Sequence, residues 1–141
     1  MESDVQVLLV EDDALDARAI KRAFAQLAIT TSIAVAQDGV EALALLRDEV
    51  PGRSLRRPYL IILDLNLPRM NGHEFLSVLR NDPKLHDSVV FVHSSSLSAQ
   101  DIERAYEFNV AGYLTKSVDQ IQLMHNMALF RLYIDTVILP A

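Results

Sequence analysis

The sequence predicts an α/β fold with a doubly wound, five-stranded parallel sheet. Short β-branched, apolar runs alternate with segments of helical periodicity, which is the pattern of such folds. Three of the runs, at residues 7–10, 60–63 and 89–92, are apolar throughout, as expected of parallel strands that helices cover on both faces. The length of 141 residues, half of them hydrophobic, fits one domain over residues 1–141.

The predicted elements follow in regular order along the chain. Strands are predicted over residues 5–10, 31–36, 59–64, 88–93 and 111–115. Two crossover helices are predicted from apolar residues at helical spacing: the first set is Leu15, Ala19, Ile20, Ala23, Phe24 and Leu27, and the second is Ala42, Leu43, Leu45 and Leu46. Pro51, Gly52 and Pro58 bracket a longer loop before the third strand.

Capping signals predict where the fourth and fifth helices begin. Ser98 stands three residues before Asp101, and Ser117 stands three residues before Gln120. Each pair has the spacing of a capping box, in which the first side chain and the fourth satisfy each other's backbone N–H groups. We therefore expect helices to open at Ser98 and at Ser117.

Composition disfavours several classes of protein. The formal net charge of -6 argues against nucleic acid as the main partner, because binding a phosphate backbone needs clustered Lys and Arg. No cysteine is present, which excludes disulfides and suits a reducing compartment. No apolar run approaches the roughly 18 residues of a membrane span, and the first residues lack a basic segment. We expect a cytoplasmic protein that binds neither nucleic acid nor membranes.

Acidic residues follow two of the predicted strands. Glu11, Asp12 and Asp13 come directly after the first strand, and Asp64 closes the third. Ligands of open parallel sheets bind at the carboxyl ends of the strands, where these side chains would meet. Carboxylates gathered there need protons or a cation, and Mg²⁺ suits such oxygen ligands. Any one acid could instead be a solvated turn residue or a helix N-cap, and we assign Asp13 to that role.

The motifs resemble those of a known family. Five places match in order: the acidic pair Glu11 and Asp12, Asp64 with its Asn66 and Pro68 turn, Ser94 after the fourth strand, Tyr113 in the fifth, and Lys116 after it. Together they resemble the bacterial response-regulator receivers, over the whole chain. The resemblance implies a flavodoxin-like sheet with strand order 2-1-3-4-5.

The resemblance also implies a role for each matched residue. Asp64 would accept a phosphoryl group from a phosphohistidine of a histidine kinase. Mg²⁺ would be held by Asp12, Asp64 and the main-chain carbonyl of Asn66, with Glu11 acting through water. Lys116 would supply a second positive charge to the phosphoryl group. Ser94 would donate its hydroxyl to that group, and Tyr113 would swing inward into the space that Ser94 leaves.

Three departures from the commonest family pattern are visible: Glu11 replaces aspartate, Ser94 replaces threonine, and Ser117 replaces a proline that a cis peptide bond usually precedes. Without proline a cis bond costs roughly 3 kcal/mol, so we predict a trans Lys116–Ser117 bond. The sequence from Lys116 to its end resembles the small receivers that partner phytochromes. The implied partner is a light-sensing histidine kinase.

The last helix predicts a contact between protein chains. Ile121, Met124 and Ala128 are predicted to cover the sheet. A neighbouring face would then stay outside the core, and it consists of Leu123, Met127, Phe130, Ile134 and Val137. An uncovered apolar face favours a homodimer through this helix and the extension at about 136–141, beyond a core of about 4–135. The alternative is a tail that folds back over the helix.

Two other functions remain open at this stage. One is an enzyme, a Mg²⁺-dependent phosphatase or phosphotransferase with an aspartyl nucleophile. Such enzymes place a second aspartate two residues after the nucleophile, where this chain has Asn66. The other is a degenerate receiver that only binds. The acids and Lys116 favour a phosphoacceptor switch that does not turn over small molecules.

Overall fold

Five strands and five helices alternate along residues 4–141, the part of the chain that the computed structural model describes. The strands are β1 (Gln6–Val10), β2 (Ile33–Ala36), β3 (Tyr59–Leu63), β4 (Val89–Ser94) and β5 (Gly112–Thr115). The helices are α1 (Ala14–Gln26), α2 (Gly39–Leu46), α3 (Gly72–Asn81), α4 (Ala99–Glu107) and α5 (Gln120–Thr136). All strand pairs are parallel, in the order β2-β1-β3-β4-β5, which confirms the predicted fold.

Helices cover the sheet on both faces. Alternate residues of β1 point to opposite sides: Leu8 and Val10 face α2 and α3, whereas Val7 and Leu9 face α1 and α5. β3 is buried along its whole length. This double coverage is the physical reason why the central strands are apolar at every position.

The predicted helix starts are partly right. Asp13 caps α1 by accepting hydrogen bonds from two backbone N–H groups, and Ser98 caps α4 through the N–H of Asp101. The prediction for α5 was wrong, because its N-cap is Asp119, whose carboxylate accepts from the Ile121 N–H. Ser117 instead accepts from the Asp119 N–H and forms the turn before the helix.

The predicted faces of α5 were also wrong. Four of the residues expected to stay outside the core are buried in it, namely Leu123, Met127, Phe130 and Ile134. Ile121, which was expected to cover the sheet, is 80% exposed. Aromatic packing determines which side of α5 faces the sheet, because the Phe130 ring contacts the Phe91 ring edge-on, with 5.2 Å between the ring centroids. Leu139, beyond the helix, is buried in the same cluster, so the tail folds back onto this layer.

The peptide bond after Lys116 is trans, as predicted, and among the residues described the one cis bond is Arg57–Pro58. In this same range no helix has the length and apolar character needed to cross a membrane.

Arg80, at the end of α3, holds together the segments that lead into the amino-terminal ends of β4 and β5. Its guanidinium donates to four backbone carbonyls, those of Phe108, His86, Ser88 and Asn109. These carbonyls lie before β4 and before β5. Burial lowers the pKa of Arg80, and no carboxylate of the described residues accepts a hydrogen bond from it.

Candidate functional site

The sheet brings two buried carboxylates side by side. Val10 and Leu63 are register partners at the ends of β1 and β3, so the residues after them, Glu11 and Asp64, leave the sheet together. The Asp64 N–H continues the ladder by donating to the Val10 carbonyl at 3.0 Å. Both side chains are buried. Parallel pairing therefore produces the convergence that the sequence predicted.

Asp12 completes an acidic cluster with these two. One carboxylate oxygen from each of Glu11, Asp12 and Asp64 lies within 4.8 Å of the others, and Asp12 is exposed. An all-oxygen donor set with one open side suits a hard divalent cation such as Mg²⁺, which keeps several waters when bound. The residues present fit the predicted metal.

Lys116 joins the cluster from the loop after β5. Its ammonium donates to Glu11 Oε1 at 2.5 Å, to Asp64 Oδ2 at 2.9 Å and to Asp16 Oδ2 at 3.0 Å. The first two contacts place Lys116 where the sequence predicted. Sequence reasoning missed Asp16, which lies three residues after the capping Asp13 on α1. The one signal in the sequence is the three-residue spacing from Asp13, which places Asp16 on the side of α1 that faces these strand ends.

The charges in the site are unbalanced. Burial raises the pKa of the Glu11 carboxyl to about 7, although the hydrogen bond from Lys116 acts in the opposite direction. Burial alone would lower the pKa of Lys116, but its bonds to Glu11, Asp64 and Asp16 raise it above the ordinary value. The two respond differently because the ammonium has three anionic neighbours while Glu11 has one cation and a second carboxylate. The site favours a further cation.

The β3–α3 loop holds Asp64 in place. The Asn66 N–H donates to Asp64 Oδ1 at 3.2 Å. Gly72 opens α3 so close to the loop that a Cβ there would lie 2.6 Å from the Leu65 Cα and 2.8 Å from the Asp64 carbonyl oxygen. Asn71 forms a capping box with Glu74, which sequence reasoning missed. The loop thus has little room to move.

Ser94 ends β4 beside this cluster and is fully buried. Its Oγ accepts a hydrogen bond from the Ser96 N–H at 3.2 Å, and its carbonyl accepts from the Lys116 N–H at 2.9 Å. Ser95 is exposed, so Ser94 is the serine that the strand directs into the protein. Tyr113 is half-buried, and its hydroxyl donates to the Ser96 carbonyl at 2.8 Å.

His93 directly precedes Ser94 in β4, so strand alternation points its side chain to the opposite face of the sheet. The side chain is buried, and its two ring nitrogens have no hydrogen-bond partner among residues 4–141. Burial lowers its pKa to about 4, so the ring is neutral near pH 7. The geometry gives His93 no part in the cluster.

Comparison with known proteins agrees with this geometry. The response regulator receiver domain family matches residues 7–128. The chain is similar to the response regulator Rcp1 of Synechocystis, with 34% identity over 138 residues that cover 96% of this chain and 92% of Rcp1. It is also similar to the probable methanogenesis regulatory protein FilR2 of Methanothrix harundinacea, with 43% identity over 111 residues that cover 78% of this chain and 70% of FilR2.

Two solved structures extend the likeness to three dimensions. The phosphorylated cyanobacterial phytochrome response regulator RcpA superposes with a TM-score of 0.87 and 34% identity over 100% of both chains. The Mn(2+)-bound form of Rcp1 superposes with a TM-score of 0.85 and 34% identity, over 97% of this chain and 99% of that one.

Proposed function

This chain belongs to the response regulator receiver domain family, whose members are signalling switches, and we propose that it accepts a phosphoryl group on Asp64. The observation that carries the proposal is the contact of one ammonium, that of Lys116, with both Glu11 and Asp64 at the strand ends. A buried carboxylate with a cation beside it is poised to receive a dianionic group. The aspartyl phosphatase alternative has no support from a second aspartate, since Asn66 occupies that place.

The proposed step is an in-line displacement at phosphorus. An Asp64 carboxylate oxygen forms the new P–O bond while the P–N bond of a phosphohistidine breaks, and the histidine leaves with its electron pair. Phosphoryl transfer depends mainly on positioning and charge neutralisation. Lys116 contributes both, because its ammonium already contacts Asp64 and can turn to the arriving oxygens.

Receiver domains bind a divalent metal, and we take the ion here to be Mg²⁺. Asp12, Asp64 and the main-chain carbonyl of Asn66 would hold it directly, with Glu11 acting through water. When bound, it supplies positive charge to the phosphoryl oxygens. The acidic cluster supports this assignment, as does the Mn(2+)-bound form of the similar Rcp1.

Ser94 and Tyr113 form the proposed readout. The Ser94 hydroxyl would donate to a phosphoryl oxygen, and Tyr113 would fill the space inside the β4–α4 loop. Their common contact with Ser96 supports this coupling: one bonds its N–H and the other its carbonyl. Charge added at Asp64 would thereby change a surface at α4 and β5.

The family implies a histidine kinase as partner, and we propose a phytochrome-type kinase in the cytoplasm. The support is the likeness to RcpA, a phytochrome response regulator, over the full length of this chain. The negative net charge disfavours nucleic acid as a partner.

The decisive experiment mixes the purified protein with Mg²⁺ and acetyl phosphate and measures intact mass. One added phosphoryl group that hydroxylamine removes is expected on the wild type and on Asp13→Asn, because asparagine still caps α1. Asp64→Asn should stay unlabelled. A labelled Asp64→Asn, or an unlabelled wild type, contradicts the proposed function.

We also propose a homodimer through the last helix and the C-terminal extension, on a different face from the one first predicted. Ile121 is 80% exposed, Leu132 68% and Ile138 96%. Ile121 and Leu132 lie eleven residues apart, about three helical turns, and so share one side of α5.

Sedimentation of the wild type and of Leu132→Asp tests the dimer. Leu132→Asp should sediment as a monomer and still unfold cooperatively, because the side chain is outside the core. Phe130→Asp would be uninformative, since Phe130 is fully buried. A monomeric wild type at high concentration contradicts the proposal.

A further inference from the structure

Three side chains outside the acidic cluster hold the loop between β4 and α4. Asp101, in the first turn of α4, accepts a hydrogen bond from the Ser96 hydroxyl on Oδ2 at 2.6 Å. On Oδ1 it accepts from His73 Nε2, on α3, at 3.0 Å. We call Ser96, Asp101 and His73 the loop clamp. It joins two helices to the loop that follows Ser94.

Asp101 is kept from completing the capping box that its sequence position predicted. Ser98 does accept from the Asp101 N–H, at 3.3 Å, but the Asp101 carboxylate turns toward the clamp. Its bonds with Ser96 and then His73 hold the pKa of Asp101 below its ordinary value. The carboxylate is therefore ionised and accepts two hydrogen bonds at neutral pH.

The loop clamp contains the residue types of a catalytic triad but not the arrangement of one. In a triad the histidine contacts the serine hydroxyl and takes its proton, while the carboxylate orients the histidine. Here the carboxylate lies in the middle and itself accepts the hydrogen bond of the serine hydroxyl, which keeps its proton. Ser96 is therefore not activated as a nucleophile, and the clamp has a positioning role.

Ser96 is the point at which the clamp meets the proposed switch. Its N–H donates to Ser94 Oγ, and its carbonyl accepts from the Tyr113 hydroxyl. A single residue thus has its side chain fixed by Asp101 and its backbone bonded to both readout residues. Any shift of Ser96 changes the hydrogen bonds of both.

We propose that Asp101 is a positioning residue for the switch. By fixing Ser96 against α3 and α4, it stabilises what we call the inward position of the Tyr113 ring, the half-buried position in which its hydroxyl donates to the Ser96 carbonyl. The consequence for signalling rests on the proposed function, whereas the position of the ring does not. If phosphorylation draws Tyr113 inward, a looser ring must by linkage disfavour phosphorylation.

The test observes the Tyr113 ring in the whole chain labelled with 3-fluorotyrosine, by ¹⁹F NMR without a phosphodonor. Tyr113→Phe assigns its resonance among the four tyrosines. In Asp101→Ala and in Ser96→Ala the resonance should move toward that of Tyr106, which is 48% exposed. The expected change is about tenfold in the ratio of outward to inward ring, as for loss of one charge-assisted hydrogen bond.

Three controls separate this role from a general loss of structure. Glu103→Ala removes the same charge from an exposed position of α4 and should leave the Tyr113 resonance unchanged. The effects of Ser96→Ala and Asp101→Ala should not add in the double variant, because each change removes the shared Ser96–Asp101 hydrogen bond. Asp101→Asn retains a carbonyl acceptor and should restore part of the wild-type position.

Two results would overturn the inference. One is an unchanged Tyr113 resonance in Asp101→Ala that melts as a folded protein. The other is an equal change in Glu103→Ala. The affinity for beryllofluoride, which mimics a bound phosphoryl group, is then compared, and it should be at least about threefold weaker in Asp101→Ala because linkage governs equilibria. An unchanged affinity refutes the signalling consequence, while a wild type that acetyl phosphate leaves unlabelled refutes the proposed function and leaves the ring measurement standing.

Discussion

Two partly buried cations lie at opposite ends of the parallel strands, and one is bound by charged groups while the other is bound by neutral ones. Lys116 contacts three carboxylates at the carboxyl-terminal ends, and Arg80 contacts four backbone carbonyls at the amino-terminal ends. Backbone carbonyls can neither titrate nor leave, so the Arg80 joint is permanent. Carboxylates can exchange one cation for another. A partly desolvated positive charge thus makes a permanent structural contact at Arg80 and an exchangeable contact at Lys116.

Replacing Arg80 tests the permanent contact and has the largest expected effect. Arg80→Met keeps much of the apolar stem but removes all four hydrogen bonds. We expect the free energy of unfolding in urea to fall by about 3 to 5 kcal/mol, since hydrogen bonds to charged groups contribute about 1.5 to 3 each and the freed carbonyls regain some water. Arg104→Met, an exposed change on α4, is the control. A loss below about 1 kcal/mol for Arg80→Met would remove the distinction between the two contacts.

His93 extends the comparison to a buried polar side chain that has no hydrogen-bond partner within residues 4–141. Its pKa in the folded protein is about 4, against an ordinary 6.5. The unfolded chain therefore binds the proton more readily, and stability present above pH 6.5 is lost as the pH falls toward 4. The loss is about 3 kcal/mol, at about 1.4 kcal/mol for each pH unit.

The measurement is the difference in urea stability between His93→Leu and the wild type in EDTA, because Glu11 titrates in the opposite sense in both. Its pKa is raised to about 7, so its contribution is lost as the pH rises from 4.5. The difference should widen in favour of His93→Leu between pH 6.5 and pH 4. A difference that stays constant between pH 6.5 and pH 4 would contradict a His93 pKa lowered by burial.

Adding Mg²⁺ tests the exchangeable contact. At about 100 times its dissociation constant, a ligand that binds only the folded state adds roughly 2.7 kcal/mol. We expect that gain in thermal or urea unfolding of the wild type, and most of it to disappear in Asp12→Asn. Arg80 is remote from the cluster, so Arg80→Met should gain as much as the wild type. Equal gains in Asp12→Asn and the wild type would place the ion elsewhere.

The sequence predicted those parts of the site that backbone topology determines. Glu11, Asp64 and Lys116 each follow a strand, and parallel strands end at the same edge, so their convergence follows from the strand order. Asp16 was missed because its contact with Lys116 joins residues 100 positions apart, through the way α1 packs against the sheet. The loop clamp was missed for the same reason, since it depends on the approach of α3 to α4.

The errors in α5 have a different cause. Apolar residues surround much of this helix, so its sequence pattern does not select one face. The contact between Phe130 and Phe91 decides the phase, and that contact exists only in the folded sheet. At the start of the helix, Ser117 and Asp119 are both good capping residues two positions apart, and sequence spacing does not choose between them.

The burial of Leu139 makes the segment after α5 a reporter of how this layer of the protein packs. The Leu139 side chain packs in one cluster with residues of α1 and α5. A protease can cleave the peptide bond beside Leu139 only while that side chain has left the cluster. The rate of cleavage there would therefore record how often the α1–α5 layer opens.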